Sequence, residues 1–218
     1  MRTSLKSRGP RIAAFSLVEM VVVMAVIALL TGAGIRVLDK TGPQARKAAT
    51  DTCIGLIEQA RASAITSHSI IVLAIAEPGD LPCDDDRCRL GIFKISAWPA
   101  HPDTLDATLM RRWQSLPGGT VILPGSVNNV RNPRDEAEIT LRYLTGKQPV
   151  QGRFHLIAFS PRGALLWPAG SDPLVLRIAE GGYRNGQPTP NTRGSNRRIA
   201  ENQLQIGRIT TRAYRIDE

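Results

Sequence analysis

Residues 11–30 read RIAAFSLVEMVVVMAVIALL. From Met20 to Ile35 no side chain is charged, and Thr31 carries the only hydroxyl. Extended back to Phe15, the run is about 20 residues, the length a helix needs to cross a bilayer. Glu19 is out of place in it. A carboxylate in hydrocarbon costs about 2.5–3.5 kcal/mol, so Glu19 either stays among lipid headgroups or is supplied with a positive charge. No basic side chain stands beside it, although Arg2, Lys6, Arg8 and Arg11 precede the run. Three arrangements fit this layout: a secretory signal peptide cut near LTGAG (residues 30–34), an uncleaved anchor, or a leader removed ahead of the apolar run, which then stays on the mature chain.

The segment AFSLVEM (residues 14–20) resembles the prepilin cleavage and N-methylation motif. In that motif a small residue, usually Gly, is followed by Phe, Thr or Ser, Leu, any residue, Glu and a long apolar helix. Ala14, Phe15, Ser16, Leu17, Val18 and Glu19 match in turn, with Ala14 in place of the usual Gly. The resemblance implies that prepilin peptidase, on the cytoplasmic face, cuts between Ala14 and Phe15 and methylates the new Phe15 amine. It also implies a partner for Glu19, the α-amino group of a neighbouring subunit. A paired charge is tolerated in low dielectric where a lone one is not. Basic residues flank the run on both sides, since Arg36, Lys40, Arg46 and Lys47 follow it. The positive-inside bias is therefore weak, and the outside position of the C-terminal part rests on the resemblance.

Beyond the run, Thr41–Pro43 predicts a bend or break, because Pro removes a backbone donor and crowds the preceding turn. Ala45, Ala49, Cys53, Leu56, Ala60 and Ala64 then recur at helical spacing, with Ile57 and Ile65 widening the stripe, which predicts an amphipathic helix with one face on a core. Nineteen Gly and fifteen Pro imply many turns and short strands. Strand-like runs are Ser69–Glu77, Arg89–Trp98, Thr120–Leu123, Glu138–Leu144, Phe154–Ser160, Pro173–Ala179 and Leu204–Ile216. Ser160–Gly163 reads as a turn and the polar stretch 181–200 as a mobile loop.

This order of elements is similar to that of the GspH/FimT group of minor pilins and pseudopilins. The resemblance is carried by IEQARASAITSHSIIVLAI (57–75), IAFSPRGALLWPAG (157–170) with PLVLRIA (173–179), and IGRITTRAYRI (206–216). The expected fold is α+β, a long N-terminal helix packed on an antiparallel β-rich domain. The expected organisation is a leader at 1–14, a pilin helix at 15–68 with its transmembrane part at 15–36, and a β-rich periplasmic or extracellular domain at 69–218. The implied partners are prepilin peptidase, other pilins or pseudopilins, the inner-membrane assembly platform and membrane lipid. The implied location is the bacterial inner membrane, single-pass, and then a pilus or pseudopilus.

No catalytic constellation is present. His68, His101 and His155 lie in unrelated contexts, Ser160 lacks a nucleophile elbow, and there is no phosphate-binding Gly-rich loop. The expectation is a non-enzymatic protein without a cofactor. Cys53 reads as a small buried residue. Cys83 and Cys88 bracket CDDDRC; outside the cytoplasm a disulfide is the favoured reading, contributing roughly 2 kcal/mol by closing a short loop. A solvated acidic turn is preferred over a metal site at Asp84, Asp85 and Asp86, since no second ligand cluster accompanies them.

The net charge is +9, and much of the excess lies ahead of the apolar run. The remainder is only moderately basic, and overall charge alone does not make a nucleic-acid binder. The C-terminal region is nevertheless rich in Arg. It reads either as a solvated loop and a charge-guarded edge strand, or as a phosphate-contacting patch at Arg197, Arg198, Arg208 and Arg212. The second reading connects with FimT-like minor pilins associated with DNA capture, which makes DNA a candidate partner.

Overall fold

The computed structural model describes residues 17–81, 86–193 and 198–216. The chain divides into two compact units, Met1–Thr41 and Gly42–Glu218. Helix α1 is assigned over Leu17–Ser67 with Pro43 inside it. The break expected at Thr41–Pro43 therefore does not end the helix, although the division between units falls there. Among the described residues no helix is long and apolar enough to cross a membrane; the expected span, residues 15–36, lies partly outside them. Met20, Val21, Val22, Val23 and Met24 are all exposed.

Among the described residues fourteen strands follow α1. The first seven are β1 (Ile70–Ala76), β2 (Arg89–Ile95), β3 (Thr104–Leu109), β4 (Gln114–Ser115), β5 (Thr120–Leu123), β6 (Ile139–Thr145) and β7 (Gln148–Phe159). The others are β8 (Leu165–Trp167), β9 (Leu174–Arg184), β10 (Gln187–Pro190), β11 (Thr192–Arg193), β12 (Arg198–Ile199), β13 (Glu201–Ile206) and β14 (Ala213–Ile216). A 3-10 turn, Pro133–Asp135, precedes β6.

The first sheet closes on itself. β1 pairs with β2, β2 with β3, β3 with β6, β6 with β7, and β7 returns to β1. Closure depends on β3 changing partners. Its residues 104–106 lie parallel to 140–142 of β6, and its residues 107–109 lie antiparallel to 93–95 of β2. Inside this small barrel, Val72, Phe93, Leu105, Ile139, Leu141, Tyr143, Phe154 and Leu156 form one buried cluster. Phe93 packs edge-on against Trp113 and Tyr143, with centroids 5.4 and 5.0 Å apart, a favoured aromatic geometry. Gly91 makes room for these rings: a Cβ there would lie 2.8 Å from Trp113 Cε3.

Successive side chains of a strand face opposite ways, so β1 also has an outer set. Ile71, Leu73 and Ile75 point away from the barrel and join Leu90, Ile92, Ile157 and Phe159 in a second buried cluster. The helix meets this wall through Ala49, Cys53, Ile57, Ala60 and Ala64, all essentially fully buried. The second sheet completes the cluster with Ile122, Leu174, Leu176, Ile178, Leu204 and Ile206. In that sheet β9 pairs with β5, β10 and β13, and β13 with the edge strand β14.

The helix is also tied to this sheet by polar contacts. Asn202 Nδ2 donates to Thr50 Oγ1 (2.9 Å), and the Arg46 guanidinium lies 3.3 Å from buried Glu180.

The α+β expectation is corrected by these findings. The described residues are mainly β, with fourteen strands against one α-helix. The sheet the helix packs on is a barrel closed through a parallel pair rather than an antiparallel layer. Among the described side chains of the helix, those that supply buried apolar surface to a core lie between Ala49 and Ala64. The physical reason is that the helical stripe, although real, covers one cluster, while the barrel interior is filled by strand and loop residues without the helix.

A buried charge joins the barrel to the second sheet. Arg134, in the 3-10 turn, donates to the Ile122 carbonyl of β5 and contacts the Glu77 carboxylate at the end of β1. Asn132 holds that turn in place by capping it and by donating to the Leu123 carbonyl (2.8 Å). Burial, opposed by Arg134, pushes the Glu77 carboxyl up to about 6.

Two predictions follow from this architecture. Phe93→Ala should destabilise the fold by about 3–5 kcal/mol, the usual cost of emptying an aromatic site, read from denaturant unfolding; a loss below 1 kcal/mol would mean that the barrel core is not a packed unit. For Glu77, the folded state holds the proton more tightly than the unfolded chain does. Its contribution to stability is therefore fully present below 4.5 and is lost as pH rises through about 6, a change of about 1–2 kcal/mol. Carboxyl NMR titration should place Glu77 near 6, and Glu77→Gln should remove that part of the pH dependence of unfolding.

Candidate functional site

The residues singled out in the sequence fall into three places. Ala14 and Phe15 lie outside the described residues. Glu19 belongs to helix α1, in its first turn as assigned. The chemistry of this segment is thus a matter of sequence: an expected cleavage point after a small residue, and a carboxylate five residues beyond it.

The second place is the cysteines. Cys53, on α1, and Cys88, just ahead of β2, are both buried free thiols in the cluster between helix and sheets. Burial pushes both thiols up, Cys88 to about 12. A thiol held protonated in an apolar core is a poor nucleophile. Cys83, the expected partner of Cys88, lies outside the described residues, as do Asp84 and Asp85. Among the described residues no group of three or more His, Cys, Asp or Glu side chains is placed to hold a metal ion.

The third place is the basic C-terminal region, where the arginines do not gather. Arg197 lies outside the described residues. Arg198 is exposed on β12, before β13 begins at Glu201, whereas Arg212 is exposed beyond the other end of β13, next to Ala213, the partner of Ile206. The length of β13 alone puts roughly 17 Å between the two ends. Arg208 has a structural task. Its Nε donates to the Asp172 carbonyl (2.9 Å) and its Nη1 to the Pro168 carbonyl. Burial, and then the neighbouring Arg131, lower its pKa. Arg131 grips the same loop by donating to the Ala169 carbonyl (2.6 Å).

Sequence reading missed the Glu77–Arg134 contact and the barrel seam, since each joins residues far apart in the chain. The stretch 181–200 contains the end of β9, then β10, β11 and β12, a ribbon of short antiparallel pairs. The Asn185-Gly186 turn that folds β9 onto β10 was its one readable signal.

A search of the curated proteins and of the solved structures finds no match to the chain. The family model described as the prokaryotic N-terminal methylation motif matches residues 10–35. That match covers Ala14, Phe15 and Glu19 and supports a type IV pilin-like protein, processed by prepilin peptidase and assembled with other pilins.

Proposed function

We propose that this chain is a minor pilin or pseudopilin, a structural subunit of a type IV pilus or of a type II secretion pseudopilus. The observation that carries the reading is the methylation-motif match at residues 10–35, in which a small residue, Phe15 and Glu19 stand in the motif's spacing ahead of an uncharged run. The precursor waits in the inner membrane with its C-terminal part in the periplasm. Prepilin peptidase removes residues 1–14 and methylates Phe15. The apolar helix then enters the filament, and Glu19 sets register by meeting the α-amino group of the next subunit. The role is structural rather than catalytic and uses no cofactor. Among pilin groups, the GspH/FimT type is supported by the residues quoted from the second half of the chain. DNA capture by the C-terminal arginines is the weaker reading, since Arg198 and Arg212 stand apart and Arg208 is committed to the 168–172 loop.

Intact-mass analysis of membrane-extracted protein should find a mature chain beginning at N-methylated Phe15; a terminus near Gly34 would indicate an ordinary signal peptide and end the pilin reading. Glu19→Ala tests the assembly charge. Removing one side of a buried pair costs roughly 3–5 kcal/mol, large against helix association in lipid, where no hydrophobic drive operates. The variant should be made and cut but be depleted from sheared filaments relative to membranes. Normal incorporation would show that Glu19 is not that charge.

A further inference from the structure

The loop joining β13 to β14, residues 207–212, is short, strained and braced on two sides. Gly207 N–H donates to the Arg212 carbonyl (3.1 Å), closing the loop. Thr211 has φ +48°, a left-handed value that is costly for a β-branched residue. It is fully buried, and its hydroxyl donates to the Gly163 carbonyl (2.5 Å). Leu165 N–H donates to the Arg208 carbonyl (3.2 Å). The loop is thus fastened to the turn 160–163, which itself rests on the end of α1: a Cβ built on Gly163 would lie 2.7 Å from Ile65 Cδ1 and 3.5 Å from Arg61 Cγ. Arg208, fixed by the carbonyls of residues 168 and 172, holds the other flank.

At the tip of this braced loop Ile209 is 86% exposed, with Ile65 also exposed on the adjoining helix end. An isolated exposed apolar side chain is ordinary; one held out by a strained, multiply anchored loop is pre-ordered, so fixing it on binding costs little entropy. The surroundings are basic. Arg162 and Arg212 are exposed on these joined elements, while Arg61 faces Glu58 and Arg208 is held by the loop carbonyls.

We propose that this end of the β domain is a protein-docking surface, in which Ile209 enters an apolar pocket on an acidic partner and the surrounding arginines meet that partner's carboxylates. A phosphate backbone has no use for a projecting isoleucine. A lipid surface requires a larger apolar face than one side chain provides. A central apolar anchor within a charged rim is the anatomy of a protein interface. This surface does not depend on how the N-terminal segment is processed.

The test uses the full-length chain in non-ionic detergent with three probes: a labelled peptide of alternating leucine and glutamate, an all-glutamate peptide, and a short DNA duplex. The leucine–glutamate peptide should bind about tenfold more tightly than the all-glutamate one, the gain expected from burying an aliphatic side chain. Ile209→Ser, at an exposed site that leaves the fold intact by circular dichroism, should erase that difference while leaving the all-glutamate affinity unchanged. Arg162→Glu with Arg212→Glu should weaken both peptides about tenfold or more and flatten their salt dependence. Equal binding of the two peptides, or indifference to Ile209→Ser, would overturn the proposal. So would absence of binding at low salt. Duplex binding tighter than that of the leucine–glutamate peptide would overturn it in favour of a nucleic-acid surface.

Discussion

From Ile71 to Ala76 every side chain of β1 is buried, and the two faces of the strand serve different interiors. Val72, Ala74 and Ala76 fill the barrel, while Ile71, Leu73 and Ile75 form the wall on which the helix and the second sheet pack. A strand solvated on one face would alternate apolar with polar residues; one buried on both must be apolar throughout. The run IIVLAIA meets that demand, and the remaining elements are arranged around it. β2 and β7 flank it with the same double duty, as Leu90 and Ile92 on one side and Ile157 and Phe159 on the other show. The small residues of α1 bring its backbone close to this wall, with Ile57 as the one large side chain among the buried apolar residues described on it.

Polar groups fix what apolar packing leaves free to slide. Hydrophobic contact is not directional, so a helix lying on an apolar wall has no preferred register along it. The Asn202–Thr50 hydrogen bond and the Arg46–Glu180 contact supply one. Arg134 plays the same part between the two sheets, reaching Glu77 at the end of β1 and the Ile122 carbonyl of β5. Burial of the ion pair is expensive; its value lies in geometry, because only one arrangement of the 3-10 turn satisfies the guanidinium, the carboxylate and the Asn132 amide together.

Much of this was legible in the sequence where burial writes a pattern. Thr120–Leu123 was read as a strand and is β5 with the same bounds, and β1, β2, β6, β7 and β9 lie on the apolar runs that announced them. The run 204–216 is two strands rather than one, because a hairpin joins β13 to β14 and Gly207 was its only clear mark. β3 went unseen: TLDATL is half exposed and carries an aspartate, and half of its pairing is with β6, more than 30 residues away. β10 to β12 were hidden by Pro, Gly and Asn, which signal turns whether or not a ribbon connects them. The expected class failed on proportion, since periodicity identifies a helix without saying how little of the core it fills. For the candidate site the motif at residues 14–19 was readable because its spacing is local. Ile209 was not, since an isoleucine in GRITTR looks like any strand residue until the loop around it is seen.

The seam formed by β3 gives the barrel an uneven strength. Each half of β3 contributes three residue pairs to its neighbour, whereas β1 contributes seven to β2 and β6 seven to β7. A ladder of three pairs, with exposed Thr104 and Asp106 along it, buries little apolar surface. Opening it requires neither helix nor second sheet to move. Amide hydrogens along β3 are therefore free to exchange with solvent through a local opening, while those of β1 wait for the whole domain to unfold. The barrel is a hoop with a clasp.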